Sequence, residues 1–218
     1  MIKACIFDLD GVIVDTAKYH FVAWKKLANA LGFDFDEAFN EKLKGVSRIE
    51  SLNLILEKGG VQLTEAEKDL WAARKNEWYL EYIDRMTADE ILPGVLSFLN
   101  YCRNTGLKIA LGSASKNAPA ILERVGLLEY FDVIIDGNKT SRSKPDPEVF
   151  LLGAAALDAS PRECVVFEDA DKGIEAALAG GFFAVGVGQA EQLPLAHVVI
   201  SGFENLDFTQ LIQTITHL

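Results

Sequence analysis

Short, continuously apolar runs recur along the chain and predict the strands of a parallel sheet. Continuous apolarity, rather than alternation, is typical of strands that are buried on both faces. The six predicted strands cover residues 3–7, 108–112, 133–135, 165–167, 184–187 and 198–200. Helical patterns separate most of the later strands, at residues 95–104, 119–125, 148–157 and 173–179. This alternation predicts an α/β fold with a doubly wound parallel sheet and helices on both faces.

The chain between the first two predicted strands has a different, purely helical pattern. No convincing strand occurs from residue 16 to about residue 89, and apolar side chains recur at three- and four-residue steps from Phe21 to Leu31. Thr64-Glu65-Ala66-Glu67 is a capping box, which predicts a long helix running towards Met86. We interpret this insertion as a cap over the carboxyl edge of the sheet. The predicted domains are a core, residues 1–15 and 92–218, and an all-helical cap, residues 16–91.

Two acidic residues directly follow the first predicted strand. Asp8 and Asp10 occupy positions i and i+2 of an extended chain, so their side chains face the same side while Leu9 points away. Ligands of open α/β sheets bind beyond the carboxyl ends of the strands. Two carboxylates there can share a divalent metal, or divide the roles of nucleophile and acid/base. A solvated turn, in which Asp and Gly are ordinary residues, explains the same pattern without chemistry.

Polar residues also follow the predicted strands at 108–112 and 165–167. Others precede the helix predicted at residues 148–157. The segment Ser113-Ala114-Ser115-Lys116-Asn117 opens a helix, where N–H groups and hydroxyls suit a phosphate, although an N-cap explains them without a ligand. Lys144-Pro145 provides either a solvated surface charge or a counter-charge in a site. Glu168-Asp169 places two acids where they suit Mg²⁺ or compensate a helix dipole.

Charge and cysteine content restrict the partners and the compartment. A net charge of −11 argues against nucleic acid and anionic membranes as partners, but not against a small anionic substrate. The apolar runs are too short to span a bilayer, and the first strand leaves no room for a signal peptide. Three cysteines without metal-site spacing favour reduced thiols. We therefore predict a cytoplasmic protein, monomeric, that acts on a small molecule.

The four polar motifs, taken in order along the chain, resemble the haloacid dehalogenase superfamily of phosphotransferases, which has a Rossmann-like core. The resemblance covers essentially the whole chain. It implies that Asp8 is the nucleophile that forms an aspartyl phosphate, and that Asp10 is the acid/base. It also implies a Mg²⁺ ion held by Asp8, the backbone carbonyl of Asp10 and Asp169, with Glu168 in support. Ser113 and Lys144 would hold the transferring phosphoryl group.

The helical insertion and the segment 113–117 resemble the β-phosphoglucomutase family more narrowly. The matching segments are Asp15-Thr16, Tyr19-His20 with Trp24, Lys44-Gly45-Val46-Ser47-Arg48, and Arg74-Lys75-Asn76. That family interconverts β-D-glucose 1-phosphate and glucose 6-phosphate through an enzyme-bound bisphosphate, which requires a second, distal phosphate site. By this resemblance, the distal site would comprise Arg48, Ser115, Lys116 and Asn117. The remaining implied substrate-binding residues are Thr16, His20, Trp24, Lys44, Gly45, Val46, Ser47, Ser51, Lys75, Asn76 and Ala114.

The surroundings of Lys75 allow two interpretations. It falls on one stripe of the predicted long helix with Trp71, Trp78 and Tyr82, so a cation lies along an aromatic face. It either reaches the cleft or is a surface lysine whose stem covers apolar groups. His20 is either structural or, by resemblance, a hinge-side residue near Asp10.

Other functions remain open beside the mutase. In a sugar-phosphate phosphatase of the same superfamily, water discharges the aspartyl phosphate; Arg48 in its Lys-Gly-Val-Ser-Arg setting favours the mutase instead. A dehalogenase would not need the metal site that Asp10 and Glu168-Asp169 suggest. A non-catalytic sugar-phosphate sensor is disfavoured because no catalytic position is substituted.

Overall fold

The central sheet has six parallel strands, as the apolar runs predict. The structure is a computed structural model and describes residues 1–217. The strands are β1 Ala4–Phe7, β2 Lys108–Gly112, β3 Val133–Ile135, β4 Cys164–Glu168, β5 Phe183–Val187 and β6 Val198–Ile200. Their spatial order is β3-β2-β1-β4-β5-β6, so β1 lies between β2 and β4. The prediction of a doubly wound α/β fold is confirmed, and β4 is longer than predicted because it includes Glu168.

Nine α-helices accompany the sheet within the described residues. Their bounds are α1 Ala17–Ala30, α2 Glu37–Asn40, α3 Arg48–Gly59, α4 Glu65–Ile83, α5 Val95–Asn104, α6 Ala118–Arg124, α7 Glu148–Ala156, α8 Asp171–Ala179 and α9 Phe208–Thr216. Successive side chains of β1 enter opposite layers: Cys5 and Phe7 pack with α5, α6 and α9, whereas Ala4 and Ile6 pack with α7 and α8. This two-sided burial explains the continuous apolarity of the strand.

The insertion between β1 and α5 has its own apolar core. Trp24 and Leu27 of α1 pack there with Ile55 of α3 and Ala72 of α4. The capping box of α4 is formed, with Thr64 accepting from the N–H of Glu67, and the helix ends at Ile83 rather than at Met86. The domain boundaries at residues 15/16 and 91/92 stay a prediction.

The two chain segments that join the insertion to the sheet run side by side. Val14 forms an antiparallel bridge with Ile91, and the N–H of Asp15 donates to the carbonyl of Glu90 at 2.9 Å. The insertion is thereby held above the carboxyl end of β1, where Asp8 and Asp10 lie. None of the helices within residues 1–217 has the length and apolarity needed to cross a membrane.

Candidate active site

A buried ion-pair network forms the floor of the site, where β1 and β4 end. Because these strands are neighbours, Asp8 follows Phe7 at the level at which Glu168 ends β4. The ammonium of Lys144 lies 2.6 Å from Asp8 Oδ1 and 2.5 Å from Glu168 Oε1 and is 1% exposed. Burial alone would lower the pKa of Lys144, but the two carboxylates outweigh it and raise that pKa. The lysine therefore stays cationic beside Asp8.

Asp10 lies beside Asp8 but has different partners. The hydroxyl of Thr16 donates a hydrogen bond to Asp10 Oδ1, and His20 Nε2 lies 3.8 Å from the same oxygen. Burial, together with the charge of Asp8, raises the pKa of Asp10 to about 6. A carboxyl group with such a pKa can both give and take a proton near neutral pH, as an acid/base must.

The loops after β1 and β4 are in direct contact. Gly11 has φ = 82°, and a Cβ at this position would lie 2.3 Å from Asp169 Oδ2. Only glycine suits both the backbone and the space there. Burial and the charge of Glu168 raise the pKa of Asp169 well above its usual range, although Lys44 Nζ lies 3.5 Å from its carboxylate. The acids of both loops thus converge at one edge of the sheet.

Four carboxyl groups in this position suit a hard cation, since Mg²⁺ prefers oxygen ligands. Among residues 1–217, however, no three carboxylate, imidazole or thiol groups already form a metal cage. The ammonium groups of Lys44 and Lys144 lie against these acids. The donor set therefore fits Mg²⁺ in chemistry, and Lys44 is the neighbour that a metal at Asp169 would displace.

Lys75 is buried inside the cap, with other aromatic neighbours than the sequence predicts. Its ammonium is 2.9 Å from His20 Nδ1 and lies 4.4 Å and 4.7 Å from the ring centres of Trp24 and Tyr79. Lys75 lines the cleft, so the surface-lysine alternative is wrong. It shares one stripe of α4 with Trp71, Trp78 and Tyr82, but its ammonium lies over Trp24 and Tyr79 instead.

The reason is that Lys75 points inwards from α4, whereas its neighbour Arg74 lies over the rings of Trp71 and Trp78. Burial lowers the pKa of both Lys75 and His20 well below their usual values.

The opposite end of the cleft is formed by α3 and the loop after β2. Ser47 caps α3 by accepting from the N–H of Glu50, so that Arg48 occupies the first turn at the cleft. Burial lowers the pKa of Arg48, and it forms no ion pair in the described part of the chain. Across the cleft, the amide of Asn117 donates to Asn76 Oδ1 at 2.9 Å. This end therefore offers a cation and amides rather than acids.

One cleft between cap and core joins these two ends. Its volume is about 820 Å³ when the solvent in its open mouth is included. The predicted site residues that line it are Asp8, Asp10, His20, Trp24, Lys44, Gly45, Val46, Arg48, Ser51, Lys75, Asn76, Ser113, Ala114, Ser115, Lys116, Asn117 and Asp169.

Four predicted site residues lie outside the cleft wall. Lys144 and Glu168 are buried below it, Thr16 lies behind Asp10, and Ser47 caps α3. Three lining residues were not predicted from the sequence: Ala17, Asn40 and Leu43. Leu43 directly precedes the predicted segment 44–48 and Asn40 lies in the turn before it, so extending that segment upstream would have included them.

Comparisons with known proteins agree with this architecture. A family model described as haloacid dehalogenase-like hydrolase matches residues 2–181. β-Phosphoglucomutase of Bacillus subtilis is 47% identical over 200 residues, covering 91% of this chain and 88% of the relative. Fructose-1-phosphate phosphatase of Escherichia coli is 34% identical, covering 84% and 94%. A crystal structure of β-phosphoglucomutase from Clostridium difficile superposes with a TM-score of 0.96 at 45% identity, covering 100% of this chain and 98% of that one.

The family match spans most of the chain, including the helical insertion and all four polar motifs. The identity to the Bacillus subtilis protein extends along nearly the full length of both chains. The chain belongs to the haloacid dehalogenase-like hydrolases.

Proposed function

We propose that this enzyme is a β-phosphoglucomutase, which interconverts β-D-glucose 1-phosphate and glucose 6-phosphate through a glucose bisphosphate. The observation that carries this proposal is one cleft with two ends that suit phosphate. Asp8, with Lys144 buried behind it, forms one end, and Arg48 and Lys116 line the other. A mutase needs both, because its intermediate carries two phosphates. The identity of 47% to a β-phosphoglucomutase supports the same conclusion.

The chemistry follows from the different surroundings of the two aspartates. Asp8 attacks one phosphorus of the bisphosphate and becomes an aspartyl phosphate, while Asp10 protonates the departing sugar oxygen, so that a sugar monophosphate leaves. In the second half-reaction Asp10 takes the proton of the accepting sugar hydroxyl, which then attacks the aspartyl phosphate. Lys144 stabilises charge on the phosphoryl group from its position beside Asp8. The bisphosphate formed in this way then exchanges its two ends before it phosphorylates Asp8 again.

Mg²⁺ is the proposed cofactor. Asp8, the backbone carbonyl of Asp10 and Asp169 would hold it, with Glu168 in support. When bound, it would neutralise charge on the acids and on the transferring phosphoryl group. Burial and the charge of Glu168 raise the pKa of Asp169, and a bound cation would compensate the negative charge of these acids.

Removal of divalent metal with a chelator is expected to abolish mutase activity, and added Mg²⁺ to restore it. Asp169→Ala should weaken the apparent Mg²⁺ affinity more than Asp171→Ala, because Asp169 contacts Gly11 at the site whereas Asp171 is exposed at the start of α8. The measurement is a Mg²⁺ titration of glucose 6-phosphate formation. Identical titrations of the two variants would show that Asp169 is not a ligand.

Arg48→Ala is expected to reduce mutase activity about ten- to a hundredfold, which corresponds to roughly 1.5–3 kcal/mol for one charge-assisted contact. The guanidinium can grip the distal phosphate at two points, and it would draw the cap towards Lys116. Acetyl phosphate has no second phosphate, so its hydrolysis should change little. Both reactions are measured as kcat/KM in wild type and variant.

Arg74→Ala is the matched control, since Arg74 is an exposed cap arginine that lies over Trp71 and Trp78 outside the cleft. It should leave both reactions unchanged. An equal loss of both reactions in Arg48→Ala would favour the phosphatase, in which water accepts the phosphoryl group.

We also propose a cytoplasmic location and sugar phosphates as the partners. All three cysteines are free and buried, which supports a reducing compartment. The net charge of −11 disfavours nucleic acid and anionic membranes as partners. The monomeric state stays a prediction.

A further inference from the structure

The loop that follows β3 contains a buried acid that is satisfied without a cation. Asp136 is 4% exposed, and its carboxylate accepts from the backbone N–H of Asn138 at 3.1 Å and from the Asn138 side-chain amide at 3.0 Å. Asn138 donates both hydrogen bonds, so Asp136 fixes the backbone and the side chain of Asn138 together.

Asn138 uses its remaining side-chain N–H outside its own loop. Its Nδ2 donates to the backbone carbonyl of Lys116 at 3.2 Å. Next to it, the backbone N–H of Gly137 donates to the carbonyl of Ser115 at 3.2 Å. The loop after β3 therefore holds two consecutive carbonyls of the loop after β2.

The contact between the two loops is close enough to require a glycine. A Cβ on Gly137 would lie 2.3 Å from the carbonyl oxygen of Ala114 and 3.1 Å from Lys116 Cγ. No side chain fits there without moving the backbone that carries Lys116. The far side of this backbone lines the cleft through Ser115, Lys116 and Asn117.

We propose that Asn138 is a positioning residue for the distal phosphate: held by Asp136, it fixes the backbone at Lys116 so that the lysine ammonium meets that phosphate. This inference rests on the proposed function, in which Lys116 binds the distal phosphate. Lys116 is exposed and its side chain is long, so its backbone is the part that the fold can orient. A lysine with a fixed backbone loses less conformational entropy when it binds.

The test compares Asn138→Ala and the isosteric Asn138→Asp with Thr140→Ala, a control in the same loop. Both Asn138 variants lose the donor to Lys116, so KM for β-D-glucose 1-phosphate should rise about three- to tenfold, as for one lost hydrogen bond. Hydrolysis of acetyl phosphate should be unchanged, because it uses no distal phosphate. Thr140→Ala should leave both reactions unchanged, and thermal unfolding checks that all variants are folded.

The decisive measurement repeats Asn138→Ala in a Lys116→Ala background. Asn138→Ala should then cause no further rise in KM, because the ammonium that it positions is absent. Two results would overturn the inference and leave Asn138 with a purely structural role. One is a double variant whose KM increase is the product of the two single increases; the other is a loss of acetyl phosphate hydrolysis in Asn138→Ala as large as its loss of mutase activity. If Lys116→Ala alone leaves mutase activity intact, the proposed distal site is wrong, which is a different outcome.

Discussion

Asp8→Asn is expected to lower mutase turnover by at least roughly 10⁴-fold and to prevent formation of the phosphoenzyme, as for removal of a nucleophile. An amide of the same shape has no charged oxygen to attack phosphorus. The fold should persist, because Lys144 keeps Glu168 as its partner at 2.5 Å. The measurement is the mass of the intact protein after mixing with acetyl phosphate, which increases by one phosphoryl group only if Asp8 is present.

Asp171→Asn is the control for this substitution. Asp171 follows the end of β4 closely, but its side chain is exposed on the first turn of α8 and does not line the cleft. The Asp171→Asn variant should be phosphorylated by acetyl phosphate as the wild-type protein is. Residual turnover of purified Asp8→Asn close to the wild-type rate would mean that another residue is the nucleophile.

The fold could be predicted because the central strands are buried on both faces. Two-sided burial demands continuous apolarity, and the polar residues that end these runs, such as Asp8 and Ser113, mark the carboxyl edge directly. Strand ends of a parallel sheet converge on one edge, so local pattern and general topology also predict the acids and Ser113 at that edge. The cap residues and the distal site are predicted only from the family resemblance.

Contacts made by long side chains could not be predicted in the same way. The helical stripe placed Lys75 beside Trp71 and Trp78, but its stem turns inwards to His20 and Trp24 on another helix. Nor does the sequence indicate that Lys44 pairs with Asp169, or that Asn138 reaches the carbonyl of Lys116. These contacts depend on how the cap and the loops are placed in three dimensions.

The two ends of the cleft differ in charge in a way that suits the reaction. The Asp8 end holds acids with lysines against them, whereas Arg48 at the far end forms no ion pair among residues 1–217. In either orientation, a bound bisphosphate therefore places one phosphate at the guanidinium of Arg48 and the other at the nucleophile Asp8. The reaction therefore depends on which leaving group departs at the Asp8 end. Donors with different leaving groups can separate the roles of Asp8 and Asp10.

Asp10→Asn is expected to slow phosphorylation of Asp8 by the glucose bisphosphate by roughly 10²–10⁴-fold, the usual contribution of an acid/base group. The sugar oxygen needs a proton as it departs, and asparagine cannot supply one. Acetate leaves without a proton, so phosphorylation by acetyl phosphate should change little. Rapid-mixing measurements of phosphoenzyme formation with the two donors separate loss of the acid from loss of the nucleophile.

The pH profile provides the second measurement on Asp10. Burial and the charge of Asp8 raise its pKa to about 6, so the carboxyl group is protonated below that pH and loses its proton above it. Phosphorylation by the sugar phosphate should therefore fall as pH rises through about 6, while phosphorylation by acetyl phosphate should lack this limb. In Asp10→Asn the limb should vanish, because no titrating group remains at that position. If the variant keeps the wild-type limb, or slows both donors equally, then Asp10 supports the geometry of Asp8 and a different group donates the proton.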